Sequence, residues 1–518
     1  MALTPRPVPL SPSGAPALDP TLWAWLLAGA DGKGPCERVI ETSISLVFLF
    51  EDRVLKLKKP VDYDFVDFST PAKRQAALER ELRINRPQAP HIYRRVWRIR
   101  RDPAAGWRLA ALDDDDDPSA EAALEMARFP AGALLSAQTA VDGPLGEALG
   151  REIARFHLTA PLAPEGGGAD GLDYVLTSNA LQLRHYSEAL GAARVEALIA
   201  GARTALEALT PALNARRAGG FCRACHGDLH TDNIVVETAD VAGGEASDGR
   251  ARIVLIDAIE FNDRLREIDI LYDLAFPLMD LTFRGQGEAA NRLLNGWLDA
   301  AARAFGPELY SGLSLLPLFL STRAAVRAHV RAREGRMAEA RAYLDAALAH
   351  LSPGAPSLLA VGGAQGSGKT TRARSLAPGF GAAPGAVILR SDEIRKRLAG
   401  CGPFERLPPQ AYTPALSDQV YQALFDAAQA CLAAGRTVIA DAVFYAPERR
   451  LGIEAVARRA NLPFEGLWLE VPRPVALARL AGRTGDASDA DAAVLEAQLR
   501  QDPGPVAWRR DRAGGETG

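Results

Sequence analysis

The sequence predicts two modules in one chain: a two-lobed α+β domain, then a parallel α/β sheet with helices on both faces. Three observations predict it. Apolar strand patterns at 358–362, 387–390, 437–440 and 467–471 alternate with helical patterns, as in a parallel sheet. Before them, a strand-rich stretch from about 36 to 100 gives way to a mostly helical one from 121 to 350. Between the two, Ser352-Pro353-Gly354-Ala355-Pro356 breaks the chain. The expected division is an arm at 1–19, a first domain at 20–350, a second at 355–502 and a loose tail at 503–518.

Bulk composition agrees. A chain of 518 residues is too long for one ordinary core. Its 48% hydrophobic and 24% charged content is that of a soluble globular protein. A net charge of -4 gives no general drive toward nucleic acid or an anionic membrane. Five cysteines make no disulfide framework and fit a reducing cytoplasm. The run 21–30 is short and lacks a basic leader, so it reads as an amphipathic helix. The run 313–320 is too short to span a bilayer and contains Pro317. No membrane partner is expected. Lysine stands at only seven positions in a chain that otherwise uses arginine, which marks sites wanting a compact ammonium.

In the first module, 46–50 and 53–57 form a hairpin pattern closed by Glu51-Asp52, and 72–85 is helical. The acidic run 113–117 reads as a solvated loop. Short strands are expected at 234–236 and 253–256, with a surface excursion at 237–250, and one long Ala/Arg helix at 322–350.

Gly363-Ala364-Gln365-Gly366-Ser367-Gly368-Lys369-Thr370 matches G-x-x-x-x-G-K-[ST] in full. An apolar strand precedes it and a helix pattern follows, which is the context this phosphate-cradling loop needs. The loop's amides and the helix N-terminus receive phosphate oxygens. Lys369 would contact the β- and γ-phosphates and Thr370 would ligate Mg²⁺. The strand Thr437-Val438-Ile439-Ala440-Asp441 ends in a carboxylate, which makes Asp441 the expected partner in that metal shell. Asp392 follows the strand 387–390, taken to lie beside the loop strand, and is placed to accept a proton from an attacking hydroxyl. Capping of the following helix by Ser391 and Asp392 is the alternative. Arg479 and Arg483 are four apart on a helix pattern. They read as a lid that neutralises transferred charge, or as a solvated arginine face.

Cys225-His226-Gly227-Asp228-Leu229-His230-Thr231-Asp232-Asn233 is the second motif. Asp228 and Asn233 keep the spacing of H-R-D-x-x-x-x-N, with base and metal ligand on one tight loop, and Gly227 in place of Arg. Ile253-Val254-Leu255-Ile256-Asp257 supplies a strand-borne carboxylate as a further metal ligand. Lys56 or Lys58 would meet the nucleotide; they share a strand face, and Lys56 is preferred. Glu81 or Glu79 would pair with it.

The loop motif with Asp392 and Asp441 resembles the small P-loop kinases, especially the zeta-toxin and polynucleotide-kinase-like group often labelled as an AAA-type ATPase domain. H-G-D-x-x-x-x-N with Asp257 resembles the aminoglycoside phosphotransferase family, whose fold is protein-kinase-like. The blocks Lys56-Leu57-Lys58-Lys59-Pro60 and Ile256-Asp257-Ala258-Ile259-Glu260-Phe261-Asn262 resemble a branch that fuses the two, over nearly the whole chain. Two departures stand out: no G-x-G-x-x-G occurs, leaving Glu41-Thr42-Ser43-Ile44-Ser45 to cover phosphates, and no Gly follows Asp257. The resemblance implies two ATP- and Mg²⁺-dependent phosphotransferase modules acting on unidentified hydroxyl acceptors in the cytoplasm. Nucleic acid enters only as an acceptor for the C-terminal module. The alternative is a regulatory protein in which one nucleotide site gates the other.

Overall fold

A computed structural model describes residues 18–32, 34–63, 66–102, 106–112, 119–237, 251–482, 488–489 and 491–512. The expected loop at 113–117, the expected excursion 237–250 apart from Glu237, which ends a strand, and Arg483 lie outside the described residues. The chain packs as two compact units, 1–139 with 223–268, and 140–222 with 269–518. Neither is continuous in sequence, and the break at 352–356 is not where they part.

The first unit is built on an antiparallel sheet. Its strand order is Arg38–Glu41, Ser45–Leu49, Arg53–Lys58, Glu121–Ala127, Tyr93–Asp102, Gly106–Ala110. The expected hairpin is there, with Leu49 opposite Val54. Strand alternation splits Arg53–Lys58 cleanly. Leu55 and Leu57 join the core containing Leu22, Trp23 and Leu26 of the helix Pro20–Ala28. Lys56 and Lys58 point the other way, to the helix Pro71–Asn85. That helix starts where Thr70 accepts the Lys73 N–H, with Pro71 in the first turn. The hairpin Ile234–Glu237 with Arg252–Leu255 follows the expected short strands.

The second unit joins helices to a parallel sheet. Helices Gly143–Thr159 and Gly287–Phe305 cross with their backbones almost touching. A Cβ on Gly146 would lie 2.6 Å from the Ala289 carbonyl oxygen, and one on Gly150 2.2 Å from that of Leu293. Backbone cannot yield as a side-chain tip can. Gly150→Ala is therefore expected to cost about 1–3 kcal/mol or more, seen as a lower denaturant midpoint. An unchanged midpoint would show that the helices separate freely.

The single helix expected at 322–350 is two, Leu316–Arg333 and Met337–His350. The chain turns at Gly335, whose φ is +77°. Alanine and arginine continue on both sides, so periodicity ran through the break. The stretch Glu308–Arg333 is long and apolar enough to cross a membrane by composition alone, but most of it is buried inside the protein.

The sheet runs Val387–Arg390, Val438–Asp441, Leu358–Gly363, Phe464–Glu470, Arg509–Arg512, all parallel. Two expectations are corrected. The strand before Asp392 is not beside the loop strand, because Val438–Asp441 lies between them. The tail expected from 503 is ordered through 512 and supplies the edge strand. Its Arg-Arg-Asp-Arg sequence reads as solvated because an edge strand is held by backbone pairing. Trp508, buried, fills the space over Gly362 and Gly466. The helix Gly287–Phe305 is tied to this sheet. Asn291 Nδ2 donates to the carbonyls of Pro384 (3.1 Å) and Ala386 (3.0 Å), and Asn295 Oδ1 accepts the Ile388 N–H at 2.7 Å. These bonds explain why the helices group with the sheet.

Candidate functional site

In the first unit two lysines share one carboxylate. Lys56 Nζ lies 2.7 Å from Glu81 Oε1 and 2.6 Å from Asp257 Oδ1. Lys58 Nζ lies 2.7 Å from Glu81 Oε2 and 2.6 Å from Glu260 Oε1. Of the two lysines on this strand face, Lys56 is the one that reaches Asp257. Glu79 bonds Gln75 instead. Glu81 is fully buried. Removing one partner of such a buried pair costs about 3–5 kcal/mol. Burial works to lower the Lys56 amine, but Asp257 and Glu81 outweigh it and hold it well above its ordinary value. Burial likewise works to raise the Asp257 carboxyl, and Lys56 overcomes that and holds it low.

Asp257 adopts φ +62°, a left-handed backbone that a non-glycine residue takes only when held there. Its N–H donates to the Tyr93 hydroxyl at 2.9 Å, and the Ala258 N–H to Asn85 Oδ1 at 2.9 Å. On the loop, Asn233 Nδ2 donates to the Asp228 carbonyl at 2.9 Å, so base candidate and amide are braced against each other. The Asn233 carbonyl accepts the Ile256 N–H at 3.0 Å, which ties the loop to the strand before Asp257. His226 Nε2 sits 2.7 Å from the Ile256 carbonyl. Asp257 thus meets Lys56 directly, and Asp228 and Asn233 sit on the loop tied to the strand that ends in Asp257. The turn 41–45 has no glycine and is held by Lys59, whose Nζ bonds Glu41 Oε1 (2.8 Å) and the Thr42 carbonyl (3.2 Å).

In the second unit the loop opens on a cavity of about 830 Å³, lined by Gly366, Ser367, Gly368, Lys369, Thr370, Asp392, Asp441 and Arg479. Gly363 ends the strand and turns the chain into the loop. Gly366 has φ +76°, and a Cβ there would lie 2.7 Å from the Ala476 carbonyl oxygen, so only glycine fits. Thr370 Oγ1 donates to Asp441 Oδ2 at 2.7 Å. Lys369 Nζ donates to the Ala364 carbonyl at 2.9 Å, within the loop. Arg479 is exposed, and its Nη1 donates to the Ser367 carbonyl at 3.2 Å, so it reaches the loop from a solvated face. Burial pushes the Asp441 carboxyl up, against the pull of Arg390 and Lys369. A buried carboxylate beside a threonine hydroxyl is a hard-oxygen donor set that suits Mg²⁺. Asn233 and Asp257 are a second such set.

The helix Ser391–Leu398 has Arg390 at its cap position and no side-chain cap. Asp392 sits in the first turn, half-buried, and lines the cavity, so capping does not account for it. Sequence reasoning missed Arg390, which bonds Glu393 Oε1 at 2.8 Å and lies 3.5 Å from Asp441 Oδ2. It also missed Lys58 and Glu260 as a second ion pair and Tyr93 as the hold on Asp257. An arginine ending the apolar run Val-Ile-Leu was the one available signal for Arg390.

Two family models match the chain. One, described as phosphotransferase enzyme family, matches residues 47–313; the other, described as AAA domain, matches 358–503. Uncharacterized proteins of Mycobacterium tuberculosis and Mycobacterium bovis are 29% identical over 498 residues, covering 92% of this chain and 92% of theirs. Among solved structures, an aminoglycoside phosphotransferase from Streptomyces rimosus in complex with ADP and streptomycin is 18% identical. It covers 65% of this chain and 100% of its own, at a TM-score of 0.30. A choline/ethanolamine kinase family protein from Mesorhizobium loti is 16% identical, covering 63% and 96%, also at 0.30.

Proposed function

The chain belongs to the phosphotransferase enzyme family and adds to it an AAA-type P-loop module, and on that premise we propose that it is a bifunctional ATP-dependent phosphotransferase. Each module would move the γ-phosphoryl group to a hydroxyl acceptor in the cytoplasm. One observation carries this. Each site brings together a lysine, a metal-type carboxylate and a further carboxylate: Lys56 ion-paired to Glu81 and Asp257, with Asp228 on the loop tied to the strand before Asp257, and Lys369 inside the glycine loop, with Thr370 bonded to Asp441 and Asp392 lining the same cavity.

In the first site Lys56, braced by Glu81, contacts the phosphates, Asn233 and Asp257 hold Mg²⁺, and Asp228 takes the acceptor's proton. In the second, Lys369 and the glycine loop hold the phosphates, and Thr370 and Asp441 hold Mg²⁺. Asp392 takes the proton, and Arg479, with Arg483, neutralises the transferring group. The metal, when bound, supplies neutralisation of phosphate charge. In both, a new acceptor O–P bond forms as the bond to the β-phosphate bridge breaks, the electron pair leaving with ADP. A nucleic acid acceptor is considered for the C-terminal site alone.

A second reading, in which one nucleotide site gates the other, is favoured by one contact. Arg374, on the helix that follows the glycine loop, bonds Glu147 of the phosphotransferase-matched region at 3.0 Å. The test uses the full chain with Mg²⁺-ATP and a panel of hydroxyl acceptors, with products weighed by mass spectrometry. Asp228→Asn is expected to lower one set of products by about 10²–10⁴-fold and leave another intact. Loss of every product by that one change would exclude the bifunctional reading and favour gating.

A further inference from the structure

The cavity at the glycine loop has a wall that the loop's own module does not supply. Glu147 and Arg151 from the helix Gly143–Thr159, and Arg292 from Gly287–Phe305, line it beside the helix that follows the loop, where Glu147 bonds Arg374. Three guanidiniums surround the single Glu147 carboxylate: Arg151 at 2.6 Å, Arg292 at 2.5 Å and Arg374 at 3.0 Å. Three cations on one anion leave excess positive charge on a partly desolvated surface, where it is costly unless something negative arrives. Arg292 is only 8% exposed, and its Nε has no hydrogen-bond partner among the described residues. Burial works to lower the Arg292 guanidinium, as do its neighbours Arg374 and Arg390. Carboxylates besides Glu147 offset this only in part: Glu288, one turn before Arg292 on the same helix, favours the charged guanidinium, and beyond Arg390 the cavity is lined by Glu393. Burial, opposed by Arg390, pushes it up to about 7.

The position matters as much as the charge. Arg390 links the wall to the reacting end, bonding Glu393 on one side and approaching Asp441 on the other. Asp392, two residues from Arg390 and close enough to Asp441 to act on its carboxyl, lines the same cavity as the wall, and Arg479 bonds the loop at Ser367. An acceptor whose hydroxyl meets Asp392 would rest its remainder against Arg292 and Arg151.

We infer that this wall is the acceptor subsite of the C-terminal site, and that its acceptor carries a phosphate or carboxylate besides the hydroxyl. The inference rests on the C-terminal site being a phosphotransfer site. The helices of the phosphotransferase module would then choose the substrate of the P-loop module. A charge-assisted hydrogen bond to a guanidinium discriminates an anion from its neutral counterpart by about tenfold or more.

The test saturates the full chain with Mg²⁺ and a non-hydrolysable ATP analogue, so that the γ-phosphate position is filled. Binding of glucose, glucose 6-phosphate and inorganic phosphate is then measured by calorimetry. The two phosphate-bearing probes are expected to bind at least about tenfold tighter than glucose. Arg292→Gln and Arg151→Gln are expected to remove that preference while leaving analogue affinity and thermal midpoint near wild type. Arg151, which is more exposed, keeps the test open if Arg292→Gln unfolds the protein. No preference in the wild type, or a preference that both variants retain, would overturn the inference. Intact preference with no transfer to any hydroxyl would instead sink the phosphotransfer reading and leave an anion site standing.

Discussion

Lys369→Ala in the full chain is expected to reduce the number of ATP molecules bound, by calorimetry in Mg²⁺, from two to one. Among the described residues Lys369 is the only lysine lining the cavity, and its Nζ already stands within the loop that the phosphates would enter. Losing a charged donor to a phosphate costs about 3 kcal/mol, or roughly a hundredfold in affinity. The remaining site keeps Lys56 with its two carboxylates, which belong to the other compact unit. That site should bind as before. A stoichiometry still at two would show that the loop lysine does not grip nucleotide. A fall to zero would show that the sites are not independent.

Asp392→Asn is expected to lower turnover at the C-terminal site by about 10²–10⁴-fold with ATP affinity nearly unchanged. Asn caps a helix nearly as well as Asp, so a capping role predicts no loss. The structure gives the base role its premise. Arg390 occupies the cap position, and no side chain caps the helix. Asp392 is left facing the cavity, on the side where Thr370 and Asp441 end. Transfer to the acceptor, measured at saturating ATP, decides it. Near wild-type turnover in Asp392→Asn would move the proton to another group, with Glu393 next in line.

What the sequence disclosed was local. Gly363 to Thr370, and Asp228 with Asn233, are legible because one loop must place all their atoms, and spacing records it. The hairpin at 46–57 was legible because alternation and a two-residue turn are also local. Strand alternation put Lys56 and Lys58 on one face and could say no more. Only the position of Asp257, 201 residues away, separates them. Glu147 and Arg374 meet across 227 residues. Neither position has a neighbour in sequence that announces the other. The strand order was missed because the four strands read from the sequence are all apolar and their connections read alike. The edge strand Arg509–Arg512 was missed because its pairing is carried by backbone, to which side-chain polarity gives no clue.

The bonds from Asn291 and Asn295 to the backbone at Ala386 and Ile388 bear on how such a protein is inherited and dissected. Asn291 is fully buried, and its amide is satisfied by carbonyls from beyond the Pro-rich break. Cutting the chain there would strand a buried amide on one fragment and bare a sheet surface on the other. The fused modules have therefore ceased to be interchangeable cassettes. Selection on either half is felt as selection on both, and recombination at the apparent domain border would yield two fragments that each lack part of their own interior.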